Sequence, residues 1–244
     1  MKVSLFATCM VDALAPEVGV ASVRLLRAVG CHVTVPRAQT CCGQPAWNAG
    51  FAAQAAEVAR ASLDALDASS ADAVVVPAGS CATMMRTYWP QMFEEAGDSS
   101  AAARARDLAA RTFELTEFLV TRELPAFVLA EPVKVAYHHS CHMQRELGVK
   151  AQPEALLRRV DGCDVVHWPA AERCCGFGGT FAVKMPEISV AMADDKLASL
   201  EGIADVVVGA DGSCLLHMRS RAMREGRGVK VRHIAEFLAG ALPS

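Results

Sequence analysis

Along the chain, short blocks of consecutive apolar residues alternate with longer segments in which apolar positions recur every three or four residues. Lys2 to Thr8, Cys31 to Val35 and Ala73 to Pro77 are short, rich in β-branched residues and bounded by Gly or Pro, as buried strands are. Between them, Pro16 to Val29 opens on a proline suited to a helix start and repeats Val20, Val23, Leu26 and Val29. Phe51 to Leu66 is alanine-rich, with Glu57, Arg60 and Asp64 as polar interruptions. The second half reads likewise, with strands at Val133 to His138, Asp164 to His167 and Asp205 to Gly209. Its helices fall at Pro153 to Val160 and Met185 to Leu200. Such alternation predicts an α/β protein with parallel sheets.

The two halves are copies. Cys9 and Cys31 recur as Cys141 and Cys163 at an offset of 132, and Cys41, Cys42 and Cys81 recur as Cys174, Cys175 and Cys214 at an offset of 133. KVSLFATC faces KVAYHHSC, and ADAVVVPAGSCATMMR faces ADVVVGADGSCLLHMR. Near the ends, TEFL at Thr116 and AEFL at Ala235 match at an offset of only 119, so the first copy carries 14 extra residues, placed around Ser99 to Arg111. The expected fold is therefore a tandem duplication of two cysteine-rich α/β units, residues 1–130 and 131–244. Each has its own parallel sheet, and a pseudo-twofold axis relates them.

With 24 basic and 27 acidic residues, the net charge of -3 gives no general attraction to nucleic acid or anionic membrane. Charges, Gly or Pro interrupt every apolar run well short of the roughly 18 residues a membrane span needs. The start, MKVSLFATCMVDALAPE, loosely resembles a signal peptide, but Asp12 breaks its apolar run and Cys9 comes too early. It reads as a first strand of a soluble, cytoplasmic chain. Ten cysteines in such a chain point to ligation or redox chemistry, because that compartment keeps thiols reduced.

Cys9, Cys81, Cys141 and Cys214 each fall just past the C-terminal end of a predicted strand, the edge where open α/β sheets gather ligand sites. The vicinal pairs Cys41-Cys42 and Cys174-Cys175 follow a further strand after a loop, so three separated segments can bring four thiolates together in each copy. Cys31 and Cys163, inside strand-like segments, read as core. A vicinal disulfide would strain its own peptide bond in both halves. Four soft thiolates from dispersed loops suit an iron-sulfur cluster or a tetrahedral zinc ion. Zinc sites ordinarily use short knuckles such as C-x2-C, so the long spacing favours the cluster. Glycines beside each pair let backbone N–H groups point at the sulfurs.

The C-x31-32-CCG-x37-C pattern, present twice, resembles the CCG cysteine-rich domain of heterodisulfide reductases and of glycolate oxidase iron-sulfur subunits. CCGQPAWNAG, CCGFGGTFAVKMPEIS and GSCLLHMR are similar to the lactate utilisation protein A family, over essentially the whole chain. The resemblance implies a cytoplasmic iron-sulfur component of a complex that oxidises L-lactate to pyruvate, acting with lactate utilisation proteins B and C or equivalent redox subunits. The expected cofactor is a [4Fe-4S] cluster, one or two per chain, with zinc an alternative at one site. Its ligands would be Cys9, Cys41, Cys42 and Cys81 in the first copy and Cys141, Cys174, Cys175 and Cys214 in the second. Heterodisulfide reductases end each motif in C-x-x-C. Ala78 and Asp211 stand at the extra position here, which puts that relative's thiol-disulfide chemistry in doubt.

No G-x-G-x-x-G follows a predicted strand and no P-loop is present, so nothing in the sequence announces a nicotinamide, flavin or nucleotide site. An electron-transfer subunit is the leading expectation. The alternatives are a heterodisulfide-reductase-like or 2-hydroxy-acid oxidoreductase catalytic subunit acting at its own cluster, and a zinc-binding assembly scaffold. His138, His139, His142 and His217 surround the second site, where the first has Phe6, Ala7, Met10 and Met84, and this marks the second as the redox-active one. Arg219 to Arg232 is a basic stretch, read first as a solvated face and second as a docking surface for an acidic partner. Trp47, Trp89 and Trp168 are read as packing residues.

Overall fold

The computed structural model describes residues 1–243, and the chain divides into two compact units, Met1–Arg122 and Glu123–Ser244. The first unit opens with β1 (Lys2–Leu5), α1 (Cys9–Leu14), α2 (Pro16–Ala28) and β2 (His32–Thr34). It continues through α3 (Gln44–Asn48), α4 (Ala52–Ala68), β3 (Ala73–Val76) and α5 (Gly79–Thr83). A π-helical turn at Met84–Tyr88 leads into α6 (Trp89–Glu95), α7 (Ser99–Ala109), β4 (Thr112–Glu114) and α8 (Leu115–Val120). The second unit runs β5 (Phe127–His138), α9 (Cys141–Arg145), α10 (Ala151–Leu157) and β6 (Val160–Val165). After a long loop come α11 (Thr180–Lys184), α12 (Pro186–Ala198), β7 (Val206–Gly209), α13 (Gly212–Arg224), β8 (Lys230–His233) and α14 (Ile234–Gly240).

Each unit holds one four-stranded sheet, in the orders β2-β1-β3-β4 and β6-β5-β7-β8, and every pairing is parallel. The central strands explain the continuous apolar blocks: Ala73–Val76 and Val206–Gly209 are buried at every position, covered on both faces by helices. The expected α/β class and duplicated parallel sheets are what the fold has. Identical ties recur in both copies. The Lys2 amide donates to Asp72 at 2.7 Å and the Lys134 amide to Asp205 at 3.0 Å, fixing the start of β1 and the middle of β5.

Three expectations are corrected by the structure. The units part after Arg122 and not at 130, because β5 already begins at Phe127 and pairs with Val160 before an irregularity between Val128 and Val133. Val160 belongs to β6 and not to the preceding helix, its apolar side chain being buried by sheet pairing. A fourth strand in each unit, β4 and β8, is additional to the three predicted. The extra segment of the first copy is α7. Val74 pairs with Thr112 at an offset of 38, whereas Val206 pairs with Lys230 at an offset of 24, and the difference equals the insertion inferred from the sequence.

Candidate metal centres

Each ligand candidate sits where a strand or loop delivers it to the C-terminal edge of a sheet. Cys9 is the first residue of α1, whose N-cap Thr8 accepts from the Val11 amide at 3.2 Å. Cys81 lies in the first turn of α5, just beyond β3, and Cys41 and Cys42 are on the loop between β2 and α3. In the first unit Cys9 Sγ stands 3.7 Å from Cys41 Sγ, and Cys42 Sγ stands 3.3 Å from Cys81 Sγ. The predicted residues therefore meet as two pairs, Cys9 with Cys41 and Cys42 with Cys81, joined through the neighbouring Cys41 and Cys42. In the second unit Cys141 begins α9, Cys214 is in the first turn of α13, and Cys174 and Cys175 lie on the loop between β6 and α11. Cys175 Sγ, Cys214 Sγ and a ring nitrogen of His138 lie within 4.8 Å of one another, all three buried. Cys141 and Cys174 are more open and act on Cys214 through their charge.

All ten cysteines are free thiols. Cys31 is buried just ahead of β2, and Cys163 is half-buried within β6. Burial, then the neighbouring Asp164, pushes the Cys163 thiol up to about 11.

The glycine after each pair does two things. The Gly43 amide donates to Cys41 Sγ at 3.4 Å and the Gly176 amide to Cys174 Sγ at 3.4 Å, the expected N–H to sulfur contacts. Both glycines have φ of +84°, and a Cβ would meet the carbonyl oxygen of Ala55 in α4 or of Ser189 in α12. No other residue type fits that turn against that helix. The Phe177 amide also donates to Cys175 Sγ, at 3.5 Å.

Residues that the sequence marked only as packing, or not at all, hold these loops. Trp89 is fully buried, and its Nε1–H donates to the Cys42 carbonyl at 2.8 Å. Ser62 on α4 accepts from the Thr40 amide at 2.8 Å and donates to the Cys41 carbonyl at 3.3 Å. In the second unit Lys196 on α12 takes this place. Its Nζ donates to the carbonyls of Ala170, Ala171 (3.1 Å) and Arg173 (2.7 Å), and sits 4.3 Å from the centroid of the Trp168 ring. Burial lowers the Lys196 ammonium to about 8, against the opposing pull of Cys175, Cys214 and Cys174. A lysine on the buried face of a helix was the signal that could have found it.

The histidines of the second unit divide by partner. His139 donates through Nε2 to Glu154 Oε1 at 3.1 Å, and its ring meets Tyr137 edge-on at 4.9 Å. His142 Nδ1 lies 3.6 Å from Cys141 Sγ, and that contact, ahead of the charges of Cys141 and Glu146, raises its pKa. His217 Nε2 lies 3.3 Å from the Ser189 carbonyl, while the Ser189 hydroxyl donates to the Gly176 carbonyl at 2.7 Å. His217 thus braces the glycine turn. Neither buried ring nitrogen of His138 makes a hydrogen bond of good geometry, although the Ala171 backbone is near enough to oppose the effect of burial, which holds its pKa well below the usual imidazole range and keeps the ring neutral.

Crowded thiols cannot all ionise. The hydrogen bond to Cys41, then burial, raises Cys9; hydrogen bonds from Cys42 and Cys9 lower Cys41; Cys42 is raised by Cys41 and Cys81. In the second unit the hydrogen bond to Cys175, then burial, raises Cys174. Cys175 is drawn down by Cys174 but raised on balance by Cys214 and burial. The protons that the raised thiols keep are released when a metal cation takes their place. The donor set, the N–H groups aimed at sulfur and the unpartnered imidazole all fit a metal-sulfur centre.

Of the basic stretch, Arg221 is engaged by Asp194 and Glu225, and Arg227 by Glu201, while Lys230 and Arg232 lie on β8. No helix among the described residues is long and apolar enough to cross a membrane.

The family model "Cysteine-rich domain" (CCG) matches twice, at residues 3–86 and 135–219. The chain is 48% identical over 240 residues to lactate utilization protein A of Geobacillus kaustophilus, covering 98% of each chain. It is 46% identical over 239 residues to the Exiguobacterium sp. protein of that name, covering 97% of this chain and 96% of the relative. Lactate utilization protein A 2 of Bacillus cereus is 43% identical over 246 residues, covering 99% of both. Two CCG domains and matches of 43 to 48% identity over nearly the whole chain place it in the lactate utilisation protein A family.

Proposed function

We propose that the chain is the electron-carrying metal subunit of a system that oxidises L-lactate to pyruvate. Its centres are iron-sulfur clusters of the [4Fe-4S] type, held by Cys9, Cys41, Cys42 and Cys81 and by Cys141, Cys174, Cys175 and Cys214. The observation that carries this reading is the meeting of cysteine sulfurs at one sheet edge in each unit, Cys9 with Cys41 and Cys42 with Cys81 in the first and Cys175 with Cys214 and His138 in the second, in a chain related end to end to lactate utilization protein A. Conversion of lactate to pyruvate releases two electrons and two protons, and such clusters, when bound, accept electrons singly. The chain's own part is to hold the thiolates, direct the amides of Gly43, Gly176 and Phe177 at sulfur, and keep the second site's inner side dry with Trp168 and Cys214. Substrate oxidation then belongs to partner subunits, equivalents of lactate utilisation proteins B and C, in the cytoplasm.

A second reading has one observation in its favour. The Cys9–Cys41 sulfur separation of 3.7 Å in the first unit is near the value of about 3.8 Å that a tetrahedral ion with bonds of about 2.3 Å sets between its ligands, while Cys42 and Cys81 stand closer, at 3.3 Å. On this reading the first centre is a structural zinc and only the second carries electrons.

Anaerobically purified chain mixed with its partner subunits decides between roles. Addition of L-lactate should bleach the visible absorbance of the chain and generate a reduced-cluster resonance. Turnover of lactate by the partners with this chain left oxidised would refute the electron-carrying role. Turnover by this chain alone with an artificial acceptor would make it catalytic.

A further inference from the structure

An imidazole has one N–H to donate and one lone pair to offer, and leaving either unmet away from water is destabilising. Neither nitrogen of His138 makes a hydrogen bond of good geometry, the Ala171 backbone being its polar neighbour in the protein. The fold itself does not ask for a polar ring at this place. Phe6, its counterpart in the first copy at an offset of 132, follows the end of β1, is fully buried and needs no partner. His139, His142 and His217 each have partners of their own, in Glu154, Cys141 and Ser189. His138 instead faces two sulfurs, with a ring nitrogen, Cys175 Sγ and Cys214 Sγ mutually within 4.8 Å in a buried cluster.

We propose that His138 supplies an imidazole nitrogen ligand to the metal centre of the second unit beside Cys175 and Cys214, in place of one of the two more open thiols, Cys141 or Cys174, making that centre mixed nitrogen and sulfur where the first is all sulfur. This rests on the metal-holding part of the function proposed above. Neutral imidazole and soft thiolate together suit iron and zinc alike. An imidazole in a shell of thiolates adds no negative charge, and histidine in place of cysteine raises the potential of an iron-sulfur centre. The ammonium of Lys196, close enough for its charge to act on Cys174, Cys175 and Cys214, works in the same direction. The second centre is then the stronger electron acceptor of the two.

The test uses the full chain with Cys42→Ser and Cys81→Ser to silence the first unit, labelled with 15N-histidine. One sample is loaded anaerobically with Co2+ alone, another with iron and sulfide. Pulsed electron paramagnetic resonance should find a directly bonded 15N coupling. His138→Phe, the residue of the first copy, should abolish it, and His138→Cys should keep the metal while lowering the reduction potential. A metal-loaded second unit with no bonded nitrogen in the chain that keeps His138 would overturn the proposal, whether or not His138→Phe folds. So would a cobalt spectrum and potential unchanged in a folded His138→Phe. Failure to take up cobalt or iron in any variant would instead refute the metal-holding role on which the proposal stands.

Discussion

Lys196 Nζ lies 4.3 Å from the centroid of the Trp168 ring and ties down the carbonyls of Ala170, Ala171 and Arg173, the last immediately before Cys174. Lys196→Met keeps most of the volume but leaves three carbonyls without their donor, a loss of about 1–3 kcal/mol for each buried group left unmet. The variant should unfold at a temperature several degrees lower and surrender metal from the second unit to a chelator faster. Metal held by the first unit should leave at the original rate. Equal loss from both units would show that Lys196 acts on general stability alone.

Trp89 does the corresponding work at the first centre, through its donor to the Cys42 carbonyl. Trp89→Phe removes that bond and part of the packing, and should cost about 1–3 kcal/mol in denaturant unfolding. Metal retention by the first unit should fall while that of the second is unchanged. The opposite pattern would break the assignment of the first site.

The glycine turn gives a graded comparison. Gly176→Ala drives a Cβ into the Ser189 carbonyl at φ +84°, whereas Gly179 (φ +58°) has nothing within 4 Å of its Cβ position. Gly179→Ala should cost only the strain of its backbone, φ 58° with ψ −107°, on the order of 1–3 kcal/mol. Gly176→Ala should cost more and empty the second centre, as read by thermal unfolding and metal content. Similar losses in the two variants would mean that contact with α12 does not shape the turn.

Glu114 caps α8 from a buried position, with one carboxylate oxygen unpartnered, and burial raises its pKa from 4.5 to about 7. Below about pH 4.5 the group is protonated in both folded and unfolded chains. As pH rises toward 7, the unfolded chain loses this proton first, so stability falls by an amount on the order of 3 kcal/mol. Glu114→Gln should match the original protein near pH 4 and exceed it above pH 7, in unfolding curves collected across that range. Parallel curves would show that the carboxyl titrates normally.

The duplication and the eight ligand candidates were legible because cysteines keep their spacing through both copies and the strands of Val74 and Val207 are apolar on both faces. The edge strands were hidden: Lys230–His233 alternates exposed Lys230 and Arg232 with buried Val231 and His233, and its charges read as a solvated stretch. Lys196 was hidden differently. A constant offset of 133 sets it against Leu63, but Gly43 packs on Ala55 and Gly176 on Ser189, an offset of 134, and that shift sets it against Ser62. Only contacts reveal that the two residues hold the same loop. The histidines were visible as a group, but which of them lacks a partner depends on Glu154, Ser189 and Cys141, each brought in by a different element.

The central claim is that two sets of four cysteines hold metal-sulfur centres. Iron, sulfide and zinc content, measured after anaerobic purification of the full chain and of Cys42→Ser, Cys175→Ser and the double variant, tests it most directly. Iron and sulfide should be present in the unsubstituted chain, each single variant should lose the metal of its own unit, and the double variant should lose both. Metal content that is absent throughout, or unchanged in the double variant, would contradict the account.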